Sequence, residues 1–257
     1  MTNRHGVYIP VFQMVERVPP FLYDVGERTE YKPLGHEEQV EHINAYICRP
    51  SFNTDKAVIV IHDILGWQFP DTRYMVDLVA AQGYLAICPD FFKGQPWTTT
   101  DHWADFADWL KKHDPTKVDR ETDAVLKYLK EQYGAKKIGV VGFSWGGMAV
   151  HHLMLTNPEL QTGVSFYGII RNTEDRYNLL NPTFFIFGEK DHTISLKQIT
   201  LLEEKLKQYC QVPYFLKVYP GQVHGFAQFK PDDTKPQDKP YIEQARKDMF
   251  DWIEKFV

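Results

Sequence analysis

The architecture of the chain can be read from one stretch, Lys137-Ile138-Gly139-Val140-Val141-Gly142-Phe143-Ser144-Trp145-Gly146-Gly147. Its apolar first part, residues 137–142, is typical of a strand that is buried on both faces. The residues from Trp145 to Thr156 predict a helix. Between them lies the pattern G-x-S-x-G, which is typical of a sharp strand-to-helix turn with a serine at its tip. The alternative interpretation is an ordinary glycine-rich turn whose serine has no chemical role.

Strand and helix signals alternate on both sides of this turn. Short apolar or alternating runs predict further strands at residues 40–48, 56–62, 84–88, 163–167, 183–187 and 214–219. Apolar residues at helical spacing predict helices at residues 70–82, 101–112, 119–133, 196–208 and 242–256. Strands that alternate with helices form parallel sheets, and the helices cover the sheet. We therefore predict a single α/β domain over residues 25–257, with a mostly parallel central sheet and helices on both faces. Residues 1–24 are predicted to be an N-terminal extension.

The composition excludes several classes of protein. The 257 residues contain 29 Lys and Arg against 34 Asp and Glu, and the net charge of −5 argues against a nucleic-acid-binding protein. The best apolar run, Ala57–Ile61, is far shorter than the ~20 residues of a membrane-spanning helix. Three widely spaced cysteines fit neither a disulfide framework nor a metal site. We therefore predict no metal, no membrane or nucleic-acid partner, and a cytoplasmic location.

A serine nucleophile needs a base, and the base needs an acid that orients it. Asp191 and His224 each follow a predicted strand, so both lie at carboxyl ends of strands, where parallel sheets bind ligands. The chain order Ser144, Asp191, His224 is the order found in α/β-hydrolases. We therefore predict these three as the catalytic residues. Glu189 is the competing acid in the same loop.

Two backbone N–H groups are expected to form an oxyanion hole, the site that binds the negative oxygen of an acyl-transfer intermediate. One N–H belongs to Trp145, the residue after the candidate nucleophile. The other comes from the loop His62-Asp63-Ile64-Leu65-Gly66-Trp67, in which Ile64 is the candidate donor. Asp63 then lies beside the site. The alternative for Asp63 is a carboxylate that only caps the next turn.

Four stretches carry the most specific signals of the chain: Val58–Trp67, Cys88–Phe92, Val141–Gly147 and His224–Phe226. In these stretches the chain resembles the dienelactone hydrolase (carboxymethylenebutenolidase-like) family, most closely its animal members. The resemblance implies a compact α/β-hydrolase domain without a large lid, a monomer, and a cofactor-free site that hydrolyses lactones and small esters. It also implies that an acid at Asp63 lies against the resting nucleophile, and that the amides of Ile64 and Trp145 form the oxyanion hole.

Two positions depart from the family pattern. The family nucleophile is usually cysteine, whereas residue 144 is serine; a natural seryl branch and a replaced cysteine both remain open. Bacterial members carry an arginine four residues after the histidine, where it binds the carboxylate of the substrate. Here that residue is Gln228, so a bidentate arginine contact is lost. Lys93 or Lys230 could supply a looser positive charge.

Phe143 and Phe226 are predicted to line the substrate pocket together with Asp63, Lys93 and Gln228, which favours a flat, partly apolar substrate. The sequence thus predicts a hydrolase of a small-molecule ester or lactone that forms a covalent acyl-enzyme at its serine. Two alternatives remain. One is a catalytically weakened α/β-hydrolase that binds a small ligand. The other is a cofactor-independent oxidoreductase or light-emitting enzyme, because a fold does not fix a function.

Overall fold

The computed structural model describes residues 31–98, 100–170, 177–228 and 235–257. The predicted N-terminal extension at residues 1–24 and Lys230 lie outside these ranges. Within them the chain forms the predicted α/β domain, in which one sheet packs against helices. The apolar side chains of the strands are almost all buried, so the core lies between the sheet and its helices.

The described residues contain eight strands: β1 (His36–Val40), β2 (Ile43–Cys48), β3 (Lys56–Ile61), β4 (Leu85–Pro89), β5 (Lys137–Phe143), β6 (Thr162–Phe166), β7 (Thr183–Gly188) and β8 (Tyr214–Tyr219). They form one sheet in the order β1-β2-β4-β3-β5-β6-β7-β8. The pairs β1–β2 and β2–β4 are antiparallel, and every other pair is parallel. The mostly parallel sheet is therefore confirmed, and the carboxyl ends of its parallel strands share one edge.

Six α-helices lie in the described ranges: α1 (Pro70–Ala81), α2 (Phe106–Lys112), α3 (Asp119–Tyr133), α4 (Trp145–Thr156), α5 (Leu196–Tyr209) and α6 (Lys239–Phe256). The chain passes from β3 through α1 toward the β1 edge of the sheet, and from β5 through α4 toward the β8 edge. Right-handed crossovers that run in opposite directions place α1 and α4 on opposite faces. His152 on α4 contacts Asp119 on α3 at 3.0 Å, so α3 shares the face of α4.

The strand predicted at residues 40–48 is wrong in extent, because the chain forms a β1–β2 hairpin there. Val40 pairs with Ile43, which leaves only Glu41 and His42 in the loop. Glu41 has a φ of 51°, as two-residue hairpin loops require. Glycine, asparagine and aspartate are the usual residues of such loops, so glutamate gave no signal for this turn.

The turn between β5 and α4 leaves no room for side chains at its glycines. A Cβ at Gly142 would lie 2.1 Å from the carbonyl oxygen of Gly146, and a Cβ at Gly146 would lie 2.2 Å from the carbonyl oxygen of Ile61 on β3. Ser144, between the glycines, has a φ of 54° and a ψ of −107°, outside the regions that L residues favour. The predicted sharp turn is therefore confirmed at the carboxyl edge of the sheet.

We expect Gly146→Ala to destabilise the fold much more than Gly134→Ala. At Gly146 the new methyl group meets the backbone of β3, so the free energy of unfolding should fall by about 3 kcal/mol or more. At Gly134, whose φ is 67°, a Cβ meets no described atom within 4 Å. That substitution adds only the left-handed backbone penalty of about 1–2 kcal/mol. Urea unfolding followed by circular dichroism measures both variants, and equal losses would contradict the steric account of Gly146.

Candidate active site

Ser144, His224 and Asp191 form one hydrogen-bonded chain. The Oγ of Ser144 lies 2.8 Å from Nε2 of His224, and Nδ1 of His224 lies 2.7 Å from Oδ2 of Asp191. All three residues are buried, with exposed fractions between 4% and 7%. A hydroxyl beside one imidazole nitrogen, with a carboxylate on the other nitrogen, is the arrangement that can activate a nucleophile.

The loop after β7 fixes the orientation of Asp191. Its Oδ1 accepts hydrogen bonds from the backbone N–H groups of Thr193 at 2.7 Å and Ile194 at 3.0 Å, so Oδ2 faces His224. Glu189, the competing acid, instead accepts a hydrogen bond from the backbone N–H of Gly221 at 2.8 Å. The loop therefore brings Asp191, and not Glu189, to the imidazole.

A second hydrogen-bonded chain adjoins the first and runs from Tyr167 through Gln228 to Asp63. The hydroxyl of Tyr167 donates to Oε1 of Gln228 at 3.0 Å, and Nε2 of Gln228 donates to Oδ2 of Asp63 at 3.1 Å. The other oxygen of Asp63, Oδ1, accepts the backbone N–H of Leu65 at 2.8 Å. The ring centroid of Tyr167 lies 4.9 Å from that of His224, so the two hydrogen-bonded networks are in contact.

Burial determines the protonation states of Asp63 and Tyr167 in this second hydrogen-bonded network. Desolvation raises the pKa of the Asp63 carboxyl, and the hydrogen bonds from Leu65 and Gln228 oppose that rise in part. Burial also raises the pKa of Tyr167 well above its ordinary value, so its hydroxyl stays protonated and acts as a donor. Tyr167 follows β6 with a φ of 39°, a strained conformation of the kind that gathers at functional sites.

The two amides expected in the oxyanion hole lie in loops that follow neighbouring strands. Trp145 is the first residue of α4, so its N–H has no acceptor within the helix. Ile64 lies in the loop after β3 and is almost fully buried. Strands β3 and β5 pair in parallel up to Ile61 and Gly142, which brings both loops to the same edge of the sheet.

His62, in the loop after β3, is held neutral by its surroundings. The backbone N–H of Phe91 donates to its Nε2 at 3.2 Å, so Nδ1 carries the proton and donates to the carbonyl oxygen of Asp63 at 2.8 Å. Burial lowers the pKa of His62 to about 4. Its ring stacks on that of Trp145 with centroids 5.8 Å apart. Backbone groups occupy both ring nitrogens of His62, so it cannot act as the base in place of His224. Its ring instead packs against the side chain of Trp145.

A narrow cleft opens at Ser144. It is lined by Asp63, Leu65, Phe69, Asp71, Ser144, Tyr167, His224, Gly225 and Gln228. No motif marks Leu65, Phe69 or Asp71 as site residues. The sequence does carry a signal for Tyr167, because it directly follows β6, and Asp191 and His224 also lie in loops that follow strands.

Three residues predicted to bind substrate lie outside the lining of this cleft. The Nζ of Lys93 lies 2.7 Å from a carboxylate oxygen of Glu121. Phe143 stacks on Phe166 with ring centroids 5.0 Å apart, and Phe226 is likewise fully buried. Lys93 lies outside the lining because an ion pair holds its ammonium group. The two aromatic side chains lie outside it because complete burial in the core is more favourable for them.

The described ranges lack two further features. No group of three or more His, Cys, Asp or Glu side chains there is arranged to hold a metal ion. No helix there is long and apolar enough to cross a membrane.

The fold and the site together define an α/β-hydrolase with a Ser–His–Asp arrangement at the carboxyl edge of its sheet. The sequence profile of the dienelactone hydrolase family matches residues 43–257. The chain is 56% identical to a carboxymethylenebutenolidase homolog from Xenopus tropicalis and 51% identical to the one from Homo sapiens. Each match covers 95% of this chain and 100% of the relative.

Solved structures show the same fold. A candidate dienelactone hydrolase from Klebsiella pneumoniae superposes with a TM-score of 0.74 at 24% identity, over 86% of this chain and 98% of that one. An esterase from Pyrococcus furiosus superposes with a TM-score of 0.63 at 17% identity, over 93% of this chain and 96% of that one. The chain belongs to the dienelactone hydrolase family, and it is an enzyme that hydrolyses esters or lactones.

The buried neutral His62 makes a prediction about the pH dependence of stability. Its pKa is about 4 in the folded state and about 6.5 when unfolded, so its contribution is fully present above pH 6.5. As the pH falls from about 6.5 to about 4, the unfolded chain binds the proton first. The free energy of unfolding should therefore fall by about 3 kcal/mol over this window.

Urea unfolding at a series of pH values measures this effect in the wild type and in His62→Gln. The variant should be less stable at pH 7, but it should lack the part of the pH dependence that His62 contributes. His102→Gln is the control, because His102 is exposed and removing it should leave the wild-type pH dependence in place. A His62→Gln profile parallel to the wild-type profile would contradict the assignment.

Proposed function

We propose that the protein hydrolyses small esters or lactones through a covalent acyl-enzyme at Ser144. One observation carries the proposal: Ser144 Oγ lies 2.8 Å from His224 Nε2, while Asp191 holds the opposite imidazole nitrogen at 2.7 Å. Serine is a weak nucleophile on its own, so a base within hydrogen-bond distance is the feature that makes its attack feasible.

Acylation begins when Oγ of Ser144 attacks the carbonyl carbon of the ester and its proton passes to Nε2 of His224. The carbonyl oxygen becomes negative, and the backbone N–H groups of Ile64 and Trp145 are the donors proposed to stabilise it. Asp191 holds the imidazole in the correct tautomer and balances the positive charge that appears on it. His224 then returns the proton to the alcohol oxygen as the bond to the leaving group breaks.

Deacylation repeats these steps with water in place of the serine hydroxyl. His224 Nε2 removes a proton from the water that attacks the acyl carbon, and then returns a proton to Ser144 as the acyl–oxygen bond breaks. The acid product leaves, and the hydrogen-bonded chain of Ser144, His224 and Asp191 is restored. No group outside the polypeptide and the solvent is needed for this sequence.

The substrate is proposed to be small and partly apolar. The cleft at Ser144 is narrow, and Leu65 and Phe69 give it an apolar wall. Relatives at 51–56% identity are described as carboxymethylenebutenolidase homologs, a name that denotes opening of an unsaturated lactone ring. We therefore place lactones beside simple esters among the substrates of this chain.

Serine at position 144 makes the proposed triad more important than it would be for a thiol. A cysteine thiol ionises near pH 8.5, whereas a serine hydroxyl is far less acidic and must lose its proton during the attack itself. The carboxylate of Asp63 in the same cleft would oppose the negative charge of the intermediate. Its hydrogen bonds to Leu65 and Gln228 reduce that opposition.

The direct test compares wild-type protein with Ser144→Ala on p-nitrophenyl acetate. We expect kcat to fall by a factor on the order of 10³ or more, because the members of a triad act as a unit. The alanine removes the nucleophilic oxygen and leaves the backbone of the turn in place. Retention of nearly full activity by a folded Ser144→Ala protein would refute the proposal.

Two acids of the same loop provide a matched test of the orienting role. Asp191→Asn keeps an oxygen for the N–H groups of Thr193 and Ile194, but it presents an amide to His224 and favours the wrong tautomer. We expect kcat to fall by roughly 10³–10⁴-fold. Glu189→Gln keeps the acceptor for Gly221, so its activity should stay within about twofold of wild type. Similar losses in both variants would contradict the role of Asp191.

A further inference from the structure

The peptide group between Asp63 and Ile64 is held from both sides. Its N–H is one of the two donors proposed for the oxyanion hole, and its oxygen is the backbone carbonyl oxygen of Asp63. That oxygen accepts Nδ1–H of His62 at 2.8 Å and the backbone N–H of Gly66 at 3.2 Å. The next carbonyl oxygen, that of Ile64, accepts the N–H of Trp97 at 2.8 Å. These bonds fix the plane of the peptide group and therefore the direction of its N–H.

The N–H of Ile64 is left available by this arrangement. Among the backbone hydrogen bonds of the described residues, none uses it as a donor. Hydrogen bonds in a chain polarise one another, so a peptide group whose oxygen accepts a hydrogen bond is a stronger donor at its N–H. The bond from His62 therefore both orients the Ile64 N–H and strengthens it.

The same imidazole also contacts the residue that carries the other proposed donor. The face of the His62 ring stacks on the indole of Trp145, with an angle of 11° between the rings. The indole Nε1 donates to the carbonyl oxygen of His113 at 2.7 Å, which fixes the indole. The backbone N–H of Phe91 holds Nε2 of His62 at 3.2 Å, so Nδ1 keeps the proton. One buried ring thus joins the two loops whose amides are proposed to bind the oxyanion.

We propose that His62 is a positioning residue of the oxyanion hole, whose Nδ1–H orients and strengthens the N–H of Ile64 toward the negative oxygen of the transition state. This inference rests on the proposed acyl transfer at Ser144 and extends it to a second histidine. His62 exchanges no proton with the substrate, because backbone groups occupy both of its nitrogens. It acts only through the peptide group that it holds.

Substitutions at His62 test the proposal with p-nitrophenyl acetate. His62→Leu keeps a side chain of similar size but removes the donor. We expect kcat to fall by roughly 10–100-fold while KM stays within about threefold, because the oxyanion exists only in the transition state. His62→Gln retains one N–H donor and one acceptor, so its kcat should lie within about fivefold of the wild-type value.

Phe92→Leu is the matched control for loss of packing. The ring centroid of Phe92 lies 4.5 Å from that of His62 and 4.6 Å from that of Trp145, so this ring belongs to the same cluster. The Phe92 side chain has no hydrogen-bonding group. We expect this variant to lose stability but to keep kcat within about threefold of the wild-type value. Circular dichroism verifies that each variant is folded at the temperature of the assay.

A pair of ketones separates transition-state binding from ground-state binding. The activated carbonyl of α,α,α-trifluoroacetophenone accepts Oγ of Ser144, whose proton passes to His224, and the adduct places a negative oxygen in the proposed hole. Acetophenone has the same ring without this activation. In His62→Leu the inhibition constant of the fluorinated ketone should rise by the factor by which kcat falls. The inhibition constant of acetophenone should stay within about twofold.

Proton NMR of the wild-type enzyme provides a measurement that does not depend on the folding of a variant at His62→Leu. The low-field Nδ1–H signal of His62 is identified by its absence in His62→Gln. When the fluorinated ketone binds, the Ile64 N–H donates to the new oxyanion, which strengthens the bond at the other end of the peptide group. The signal should therefore move downfield with the fluorinated ketone and stay in place with acetophenone.

Three results would overturn the role of His62: a folded His62→Leu protein with kcat near the wild-type value, equal losses in His62→Leu and Phe92→Leu, or no recovery in His62→Gln. An Nδ1–H signal that stays in place in the fluorinated ketone complex would overturn it as well. Ser144→Ala separates these results from failure of the proposed function. If Ser144→Ala is inactive while His62→Leu is fully active, the acyl-transfer proposal stands and the positioning role does not.

Discussion

The close approach of α4 to the ends of β3 and β5 is the constraint on which the rest of the site depends. Gly146 lies against the carbonyl oxygen of Ile61, and Gly142 lies against the carbonyl oxygen of Gly146, at distances that exclude any side chain. The chain can therefore turn within a few residues from strand to helix. That turn holds Ser144 in a left-handed conformation at the carboxyl edge of the sheet, beside the loops that carry Asp191 and His224.

Two buried aspartates of this site differ in the partner that each one holds. Asp191 contacts the imidazole of His224, which can take up a proton, so Asp191 can balance a charge that appears during reaction. Asp63 contacts the amide of Gln228, which stays neutral, and burial raises the pKa of the Asp63 carboxyl. One carboxyl group is thus paired with a group that can change its charge, and the other is paired with a group that cannot.

The sequence predicted the sheet and the positions of Ser144, Asp191 and His224 because their signals are local. Apolar runs mark buried strands, and a polar residue after a strand must lie at the edge of the sheet. The same local signals could not reveal the network of Tyr167, Gln228 and Asp63. Gln228 and Asp63 are 165 residues apart in the chain, and their hydrogen bond depends on packing between distant loops.

Packing also decides where the other predicted substrate-binding residues lie. Burial removes Phe143 and Phe226 from the cleft, and an ion pair to Glu121 holds Lys93 outside its lining. One helix boundary also differs from its prediction. The helix predicted from residue 101 begins instead with a 3-10 turn at Trp103–Asp105, before α2 starts at Phe106. Composition identifies apolar residues, but it does not tell which of them close the core and which face a substrate.

The central claim is that the reaction passes through an ester of Ser144, and mass spectrometry of the quenched enzyme tests it most directly. The protein is mixed with p-nitrophenyl trimethylacetate, whose bulky acyl group slows attack by water, then quenched in acid within milliseconds and digested. The account predicts one trimethylacetyl group on the peptide that contains Ser144, appearing as fast as p-nitrophenol is released. A burst of p-nitrophenol with no acyl group on that peptide, or with the acyl group on a cysteine instead, would contradict it.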